Sequence, residues 1–338
     1  MAKTLSGHPK ITSVTILQDD ACKDTAEPFK SYPTDLPDVT IVRAPLADES
    51  LDANLMRGIL DREEYDYVWD NNSKAPEGAA KALCELAKGW GVKLYSYVSS
   101  AGIYKTDDKT PFPMAETTPI KDSAAQAMFE AYAVELGLPL VSFRPQYIYG
   151  PKSNKHSYID WYFDRLVRDL PLPIPADGTQ KVSLTNSEDV ASILASVLDD
   201  EAAAVEQRVF NCGTDDLHTY DEVAYMCAEA AGVAKDKVAI EHYDADLFGK
   251  ATFPFRMTDF YVAPDMVKSK LGWSGPKHTL KGDLAAYFED YKARGMPDKK
   301  ISLVKDWEIV FGSTSKFAVQ SVYDLHDPLI IDTSGVKK

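Results

Sequence analysis

Two short stretches, each reading as a strand that ends in a turn, constrain the fold of this chain most strongly. Residues 92–104, VKLYSYVSSAGIY, begin with strand-forming residues and end in small ones, which indicates a strand that stops at a tight turn. Further along, residues 138–151, LPLVSFRPQYIYGP, repeat the pattern after a helical segment. The arrangement predicts a βαβ unit in a parallel sheet, whose carboxyl edge is where such folds bind ligands.

Seven short phrases match, in order, phrases of a known protein superfamily. They are Asp70-Asn71-Asn72, Ser99–Lys105, Ser142–Tyr147, Trp161–Asp169, Phe210–Cys212, His242–Asp244 and Phe253–Arg256. Together they resemble the extended short-chain dehydrogenase/reductase superfamily of NAD-dependent epimerases and dehydratases. Within it they are more similar to the chloroplast stem-loop binding proteins, a plastid RNA-binding branch for which endoribonuclease activity is described. The resemblance covers roughly residues 8–305 and implies an α/β fold, RNA as a partner and a chloroplast location.

The start of the chain departs from the superfamily pattern. A dinucleotide-binding fold begins with a strand, a Gly-rich turn and a helix whose N-terminus holds the pyrophosphate. Residues 1–7 are too short for this unit, and Ile11–Leu17 resembles the superfamily's second strand. No Gly-x-Gly-x-x-Gly occurs, because Leu94 stands where a third glycine should follow Gly89 and Gly91. We therefore predict a Rossmann-like doubly wound parallel sheet that lacks its first β-loop-α unit, and we expect no NAD(P) cofactor.

The chain divides into three regions. Residues 1–150 read as a degenerate Rossmann-like domain, and residues 151–295 as a smaller α/β substrate-type region interleaved with the sheet. Residues 296–338 exceed the enzyme pattern and read as a C-terminal extension. The middle region resembles the superfamily's Gly-x-Gln to Asp-Val-Ala module, which places Asp189 in the first turn of a helix, where the helix dipole favours a carboxylate.

Residue periodicity places further elements along the chain. It predicts strands at Val39–Val42 and Tyr65–Trp69 and helices at Leu51–Leu60, Pro76–Gly89 and Lys121–Gly137. In the last helix, the apolar residues that we expect to pack on the sheet are Ala124, Ala127, Met128, Ala131, Val134 and Leu136. A further helix is predicted where Thr219 and Glu222 have capping-box spacing and Gly232 provides a stop.

The helix over residues 121–137 bears on catalysis. In catalytically competent relatives it carries Tyr-x-x-x-Lys, in which the lysine lowers the pKa of the tyrosine. Counting back from Glu130, the resemblance puts Gln126 at the lysine position and Asp122 at the tyrosine position. Ser100 matches the family's catalytic serine but stands alone, as a remnant beside a turn. We expect no dehydrogenase or epimerase activity; the catalytic residues stay unassigned, and endoribonuclease activity is implied by the resemblance alone.

The composition restricts the partners. The net charge is −15, and an acidic chain as a whole repels RNA, so RNA binding requires a local basic face or a basic partner. No apolar run is long enough for a membrane span. The four cysteines lack Cys-x-x-Cys spacing, which predicts buried free thiols and no metal site. The N-terminus has no transit-peptide composition, so the chloroplast location rests on the resemblance.

Residues 152–168 are the best candidate for an RNA-contacting surface. Cations alternate there with aromatic residues, which suits phosphates and unpaired bases. The candidate contacts are Lys152, Lys155, His156, Tyr158, Arg165 and Arg168. In the alternative reading, Trp161, Phe163, Leu166 and Val167 pack inward on a helix and the two arginines are merely solvated. Phe253–Arg256 is a second candidate, or a buried turn.

Two functions stay open. The first is plastid RNA binding or stabilisation; the second is a non-catalytic structural or accessory subunit docked on a larger organellar complex, and an oligomer is compatible with both. Clustering of Lys152, Lys155, Arg165 and Arg168 on one exposed face would favour the first.

Two further readings stay beside these functions. Loop carboxylates at Asp107, Asp108 and Glu116 are candidates for a divalent ion, although such exposed carboxylates are common. A truncated sequence, whose missing segment restores the Gly-rich loop, is the other reading.

Overall fold

The computed structural model describes residues 1–61, 64–107, 109–153, 155–245, 254–302, 306 and 331–332. Its strands are β1 Thr15–Asp19, β2 Thr40–Ala44, β3 Tyr67–Asp70, β4 Leu94–Val98, β5 Leu140–Pro145, β6 Tyr147–Tyr149, β7 Leu172–Pro175, β8 Lys181–Asn186, β9 Val209–Cys212, β10 Leu217–Thr219, β11 Ile240–Tyr243, β12 Ile301–Ser302 and β13 Ile331–Asp332.

The helices complete the order of elements. They are α1 Ala2–Ser6, α2 Tyr32–Asp35, α3 Ala53–Leu60, α4 Gly78–Trp90, α5 Ala125–Glu135, α6 Ser157–Leu166, α7 Ser187–Ala195, α8 Glu201–Gln207, α9 Tyr220–Ala231, α10 Asp265–Leu271 and α11 Leu280–Ala293. None of these described helices is long and apolar enough to cross a membrane.

A parallel sheet with helices on both faces confirms the predicted fold class. Strands β3, β4, β5 and β9 hydrogen-bond in that order, all in parallel, and β5 is buried along its whole length. Helices α4 and α5 pack on one face, where Phe129 meets Tyr95 and Tyr97. Helices α7, α8 and α10 pack on the other, around Val141 and Phe143. The first predicted βαβ unit is thus β4, α5 and β5.

The N-terminal strands form a separate sheet. Strand β1 pairs in parallel with β2, and in the described part of the chain no strand joins β1 to β3. Helix α3 packs beside α4, and a cluster including Leu17, Val42 and Leu86 attaches the small sheet to the body. In the described residues, the parallel strands therefore form two separate sheets, and the division lies between β1 and β3.

The second half of the chain builds its own apolar cluster. Strand β8 lies between β10 and β6, and β7 pairs in parallel with β11. Helices α6, α9 and α11 pack together around Phe163, Tyr220 and Tyr291. The predicted capping box is confirmed: Thr219 Oγ1 accepts from the Glu222 N–H, the Glu222 carboxylate accepts from the Thr219 N–H, and Gly232 ends α9 with φ of 72°.

The packing side predicted for α5 is confirmed at Ala127, which is buried, and at Leu136, which packs against the core, but it is wrong for the residues between them. The helix begins at Ala125 rather than Lys121, and Phe129, Glu130 and Ala133 are among the residues on its buried side. Met128 and Val134, which we expected in the core, are exposed. The reason is that this helix is apolar on more than one side, and the largest apolar side chain decides which side is buried. Phe129 fills the space beside Tyr97, with ring centroids 4.3 Å apart.

Candidate functional site

The carboxyl ends of β4, β5 and β9 form one edge of the sheet, as predicted. Ser100 follows β4 there, and its hydroxyl accepts a hydrogen bond of 3.0 Å from the Gly102 N–H, which fixes the turn. The cationic side chains of Lys121 and Arg256 both lie close to Gly102. This turn is therefore the point from which the site can be built.

Lys121 and Arg256 converge on the turn. Lys121 Nζ donates to the Gly102 carbonyl at 3.1 Å, and a Cβ placed on Gly102 would lie 3.9 Å from Arg256 Nη2. Partial burial lowers the pKa of Lys121, and the positive charge of Arg256 lowers it further. Neither has a carboxylate within 4 Å among the residues that the structure describes.

Aromatic rings flank the cation pair. Arg256 Nε donates to the Tyr147 hydroxyl at 3.4 Å, and the guanidinium lies 4.1 Å from the ring centroid of Phe260. Tyr147 in turn contacts Tyr158, with ring centroids 4.2 Å apart. Tyr158 is half-buried, so part of its surface remains in solvent. Rings thus hold Arg256 in place, and no carboxylate of the described residues is paired with it.

A buried polar network lies beside the turn that contains Ser100 and Gly102. Glu130 on α5 accepts two hydrogen bonds from Arg144 on β5, at 2.6 and 3.2 Å, and the guanidinium lies over the ring of Tyr104. The Tyr104 hydroxyl donates to Asn211 at 2.7 Å, and burial raises the pKa of Tyr104 to about 12. The polar groups of these residues hydrogen-bond to one another, so their role is to keep this edge of the sheet rigid.

The three positions that the resemblance matches to the family's catalytic residues lie in the turn after β4 and around the start of α5. Asp122 precedes α5, its side chain is 88% exposed, and it lies 3.7 Å from Lys105. Gln126 is in the first turn of α5, and Ser100 is engaged in its own turn. Carboxylate and amide groups replace the phenol and ammonium groups that this chemistry uses.

The six predicted RNA contacts do not form one exposed face. Arg165 is buried, donates to both oxygens of Asp306 at 2.6 and 2.8 Å, and stacks on Trp161. Arg168 is also buried and donates to the carbonyl groups of Met296, Pro297 and Lys299. The alternative reading is confirmed for Trp161, Phe163, Leu166 and Val167, which pack in the apolar cluster. It is wrong for the two arginines, whose side chains are buried and not solvated. Arg165 on α6 and Arg168 just after it therefore hold Asp306 and residues 296–299 in place.

The other four predicted contacts lie nearer the surface. Lys152 is exposed and paired with Asp35, and Lys155 is exposed. His156 Nδ1 lies 3.3 Å from the Tyr287 hydroxyl, and burial followed by the charge of Arg294 lowers the pKa of His156. Tyr158 contacts Tyr147, which accepts from Arg256, so this part of the segment adjoins the group at the sheet edge formed by Ser100, Lys121, Tyr147, Tyr158 and Arg256. We call this group the edge crevice, after the position at which sheets of this class bind ligands.

The second predicted candidate contributes one residue to the edge crevice. Phe253 lies outside the described residues, Pro254 and Phe255 are buried, and Arg256 is half-exposed. Sequence reasoning did not find Lys121, which it counted as the start of a helix. The structure leaves Lys121 just before α5, where its side chain can turn toward Gly102.

Asp107 and Glu116, the two loop carboxylates that the structure describes, each accept hydrogen bonds from neighbouring groups. Asp107 accepts from Thr110 and from the Lys109 N–H, while Glu116 accepts from the Asn211 N–H. Asp108 lies outside the described residues. Among the described residues, no group of three metal-ligating side chains occurs, and the four cysteines are free, three of them buried.

The known proteins that this chain resembles in sequence and structure agree with the α/β fold described above. Residues 7–213 match the NAD dependent epimerase/dehydratase family. The chloroplast stem-loop binding protein of 41 kDa b from Arabidopsis thaliana is 30% identical over 265 residues, which is 77% of this chain and 68% of that protein. UDP-glucose 4-epimerase from Vibrio cholerae is 27% identical, over 59% of this chain and 64% of that protein. A dTDP-glucose 4,6-dehydratase from Bacillus anthracis, solved with NAD, superposes with a TM-score of 0.65 at 18% identity, covering 84% of this chain and 89% of that one.

Proposed function

Because this chain belongs to the NAD dependent epimerase/dehydratase family, and within it to the family of the chloroplast stem-loop binding proteins, we propose that it binds structured RNA at the edge crevice. The observation that carries the proposal is the pair formed by Lys121 and Arg256. Two cations without carboxylate partners in the described chain stand at the sheet edge where folds of this class bind their ligands.

A phosphate group is the ligand that this pair fits. Partial desolvation and, after it, the charge of Arg256 lower the pKa of Lys121, and an anion placed between the two cations would offset both effects. The planar guanidinium of Arg256 can contact two phosphate oxygens, while Lys121 adds a point charge. The local charge thereby opposes the net charge of −15, which otherwise repels a polyanion.

The rings beside the cations favour RNA over an isolated phosphate. Tyr158 keeps part of its surface in solvent next to Arg256, and unpaired bases stack on such rings. Lys155 stands three residues before Tyr158 and is exposed, so it can meet a neighbouring phosphate. A loop of a stem-loop offers both groups: splayed bases for Tyr158 and closely spaced phosphates for the cations.

We infer that the chain as described does not hold NAD through the family's pyrophosphate site. That site requires a strand and a helix N-terminus between β1 and β3, and the described sheet is divided there. The strands that border the division end in Asp19 and Asp70, and the Asp70 carboxylate accepts from the Asn72 and Ser73 N–H groups. The Asp70 carboxylate therefore holds the turn that follows β3.

The family also supports a plastid location and a role in plastid RNA binding or stabilisation, which we include in the proposal. The competing function is that of a non-catalytic subunit of a larger organellar complex. It is favoured by the net charge of −15 and by the burial of Arg165 and Arg168, which removes two cations from the surface.

Salt dependence of RNA binding tests the proposal. A fluorescent stem-loop RNA is titrated with the wild type, the Lys121→Ala/Arg256→Ala variant and a Lys88→Ala control on the exposed side of α4. Losing two phosphate contacts should lower the slope of log affinity against log salt by roughly 1.4 to 1.8. The control should match the wild type. If all three proteins had equal affinity and equal salt slope, the edge crevice would not be the site of RNA binding.

A further inference from the structure

Strand β6 carries two buried tyrosines whose hydroxyl groups differ in their hydrogen bonds. Tyr149 donates to the Asp283 carboxylate at 2.7 Å, so its proton has an acceptor within the protein. The Tyr147 hydroxyl accepts from Arg256 Nε at 3.4 Å, and no hydrogen bond among the described residues takes its proton. Tyr147 is only 6% exposed, and a buried donor without an acceptor is unfavourable. Its proton therefore points to an acceptor that a ligand brings.

The neighbouring hydroxyl of Tyr220 acts as a donor toward Tyr147. Tyr220 accepts from the Arg256 N–H at 3.0 Å. Burial raises the pKa of both tyrosines, and the hydrogen bond between them raises the pKa of Tyr220 and lowers that of Tyr147. A hydrogen bond favours the neutral form of its donor and the ionised form of its acceptor, so Tyr220 is the donor. Because a phenol oxygen accepts two hydrogen bonds and donates one, Tyr147 accepts from Arg256 and Tyr220 and keeps its own proton.

The Tyr147 hydroxyl lies beside the two cations of the edge crevice. Lys121 Nζ donates to the Gly102 carbonyl at 3.1 Å, and Arg256 Nη2 lies 3.9 Å from the position of a Cβ on Gly102. Nε, which donates to Tyr147, and Nη2 are on the same edge of the planar guanidinium. An oxygen bound at Nη2 is therefore a neighbour of the Tyr147 hydroxyl, and a phosphate group offers several oxygens to such a set of donors.

We propose that the Tyr147 hydroxyl is a third, uncharged ligand contact of the edge crevice, which donates its proton to the same phosphodiester that Arg256 and Lys121 bind. The inference rests on the proposed function, binding of structured RNA, and names the group that is bound more closely. The phosphodiester is one that adjoins an unpaired base, because the ring of Tyr158, 4.2 Å from that of Tyr147, is placed to stack on such a base.

Tyr147→Phe removes the donor and keeps the buried ring, so the variant should keep the circular dichroism of the wild type. Its affinity for a fluorescent stem-loop RNA should fall roughly 10- to 100-fold, the effect of one hydrogen bond to a charged group. The slope of log affinity against log salt should equal that of the wild type, since an uncharged donor releases no counterion. Tyr149→Phe, two residues along the same strand, is the matched control and should bind RNA as the wild type does.

A double-variant cycle separates contact with the phosphodiester from mere positioning of Arg256. In an Arg256→Ala background, measured at low salt, a direct contact predicts that Tyr147→Phe weakens binding further, by roughly 3-fold or more. No further loss in that background, wild-type affinity for Tyr147→Phe, or a salt slope that changes with it would overturn the proposal. If Lys121→Ala/Arg256→Ala bound RNA as the wild type does, the RNA-binding role of the edge crevice would itself fail, which distinguishes the two failures.

Discussion

Arg165 should be essential for stability and dispensable for RNA binding. Its guanidinium is buried, donates to Asp306 at 2.6 and 2.8 Å and to the Trp161 carbonyl at 2.6 Å, and lies 3.8 Å from the Trp161 ring centroid. Arg165→Ala removes these contacts and leaves the Asp306 carboxylate, only 17% exposed, without its partner. Breaking one side of a buried ion pair costs about 3–5 kcal/mol, which sets the expected loss of unfolding free energy.

Urea unfolding, followed by tryptophan fluorescence, measures that loss. Lys152→Ala serves as the control, because its ion pair with Asp35 is exposed and such a pair contributes about 0–1 kcal/mol. RNA affinity, measured on the folded fraction of Arg165→Ala, should equal that of the wild type. If Arg165→Ala lost less than about 1 kcal/mol and bound RNA more weakly, the residue would be an RNA contact and our reading of α6 would fail.

Two more predictions concern stability. Gly213→Ala should lower the unfolding free energy by about 1–3 kcal/mol in urea, because a Cβ there would lie 2.1 Å from the Val262 carbonyl oxygen. His278 should make stability depend on pH: burial lowers its pKa, but the hydrogen bond and charge of Asp283 outweigh burial and raise the pKa above the ordinary 6.5. The protonated ring therefore stabilises the fold fully below pH 6.5, and this contribution is lost as the pH rises through the folded-state pKa. His278→Gln should flatten this part of a melting-temperature profile, and an unchanged profile would count against the pairing with Asp283.

Sequence patterns predicted the elements whose signals are local. The capping box at Thr219 and the strand that ends at Ser100 follow from short-range backbone chemistry, and both stand where the sequence places them. Asp189 likewise lies in the first turn of α7, where it also accepts from the Lys277 and His278 N–H groups. The hydrogen bonds from Lys277 and His278 join residues far apart in the chain, and no local sequence pattern predicts them.

The errors have one physical origin, which is that burial depends on partners distant in sequence. Arg165 and Arg168 look like surface cations, yet Asp306 and residues 296–299 supply the acceptors that bury them. Met128 looks like a core residue, yet Phe129 occupies the side that faces the sheet. Arg256 and Lys121 are far apart in sequence and meet only because the chain returns to the turn at Gly102.

Photo-crosslinking tests the central claim most directly, because it shows where RNA lies. A stem-loop RNA with 4-thiouridine in its loop is irradiated with the wild type and with Lys121→Ala/Arg256→Ala, and the crosslinked peptides are identified by mass spectrometry. We predict crosslinks in residues 147–158, around Tyr147 and Tyr158, that weaken in the variant. Crosslinks confined to other surfaces, or equally strong in the variant, would contradict an RNA-binding edge crevice.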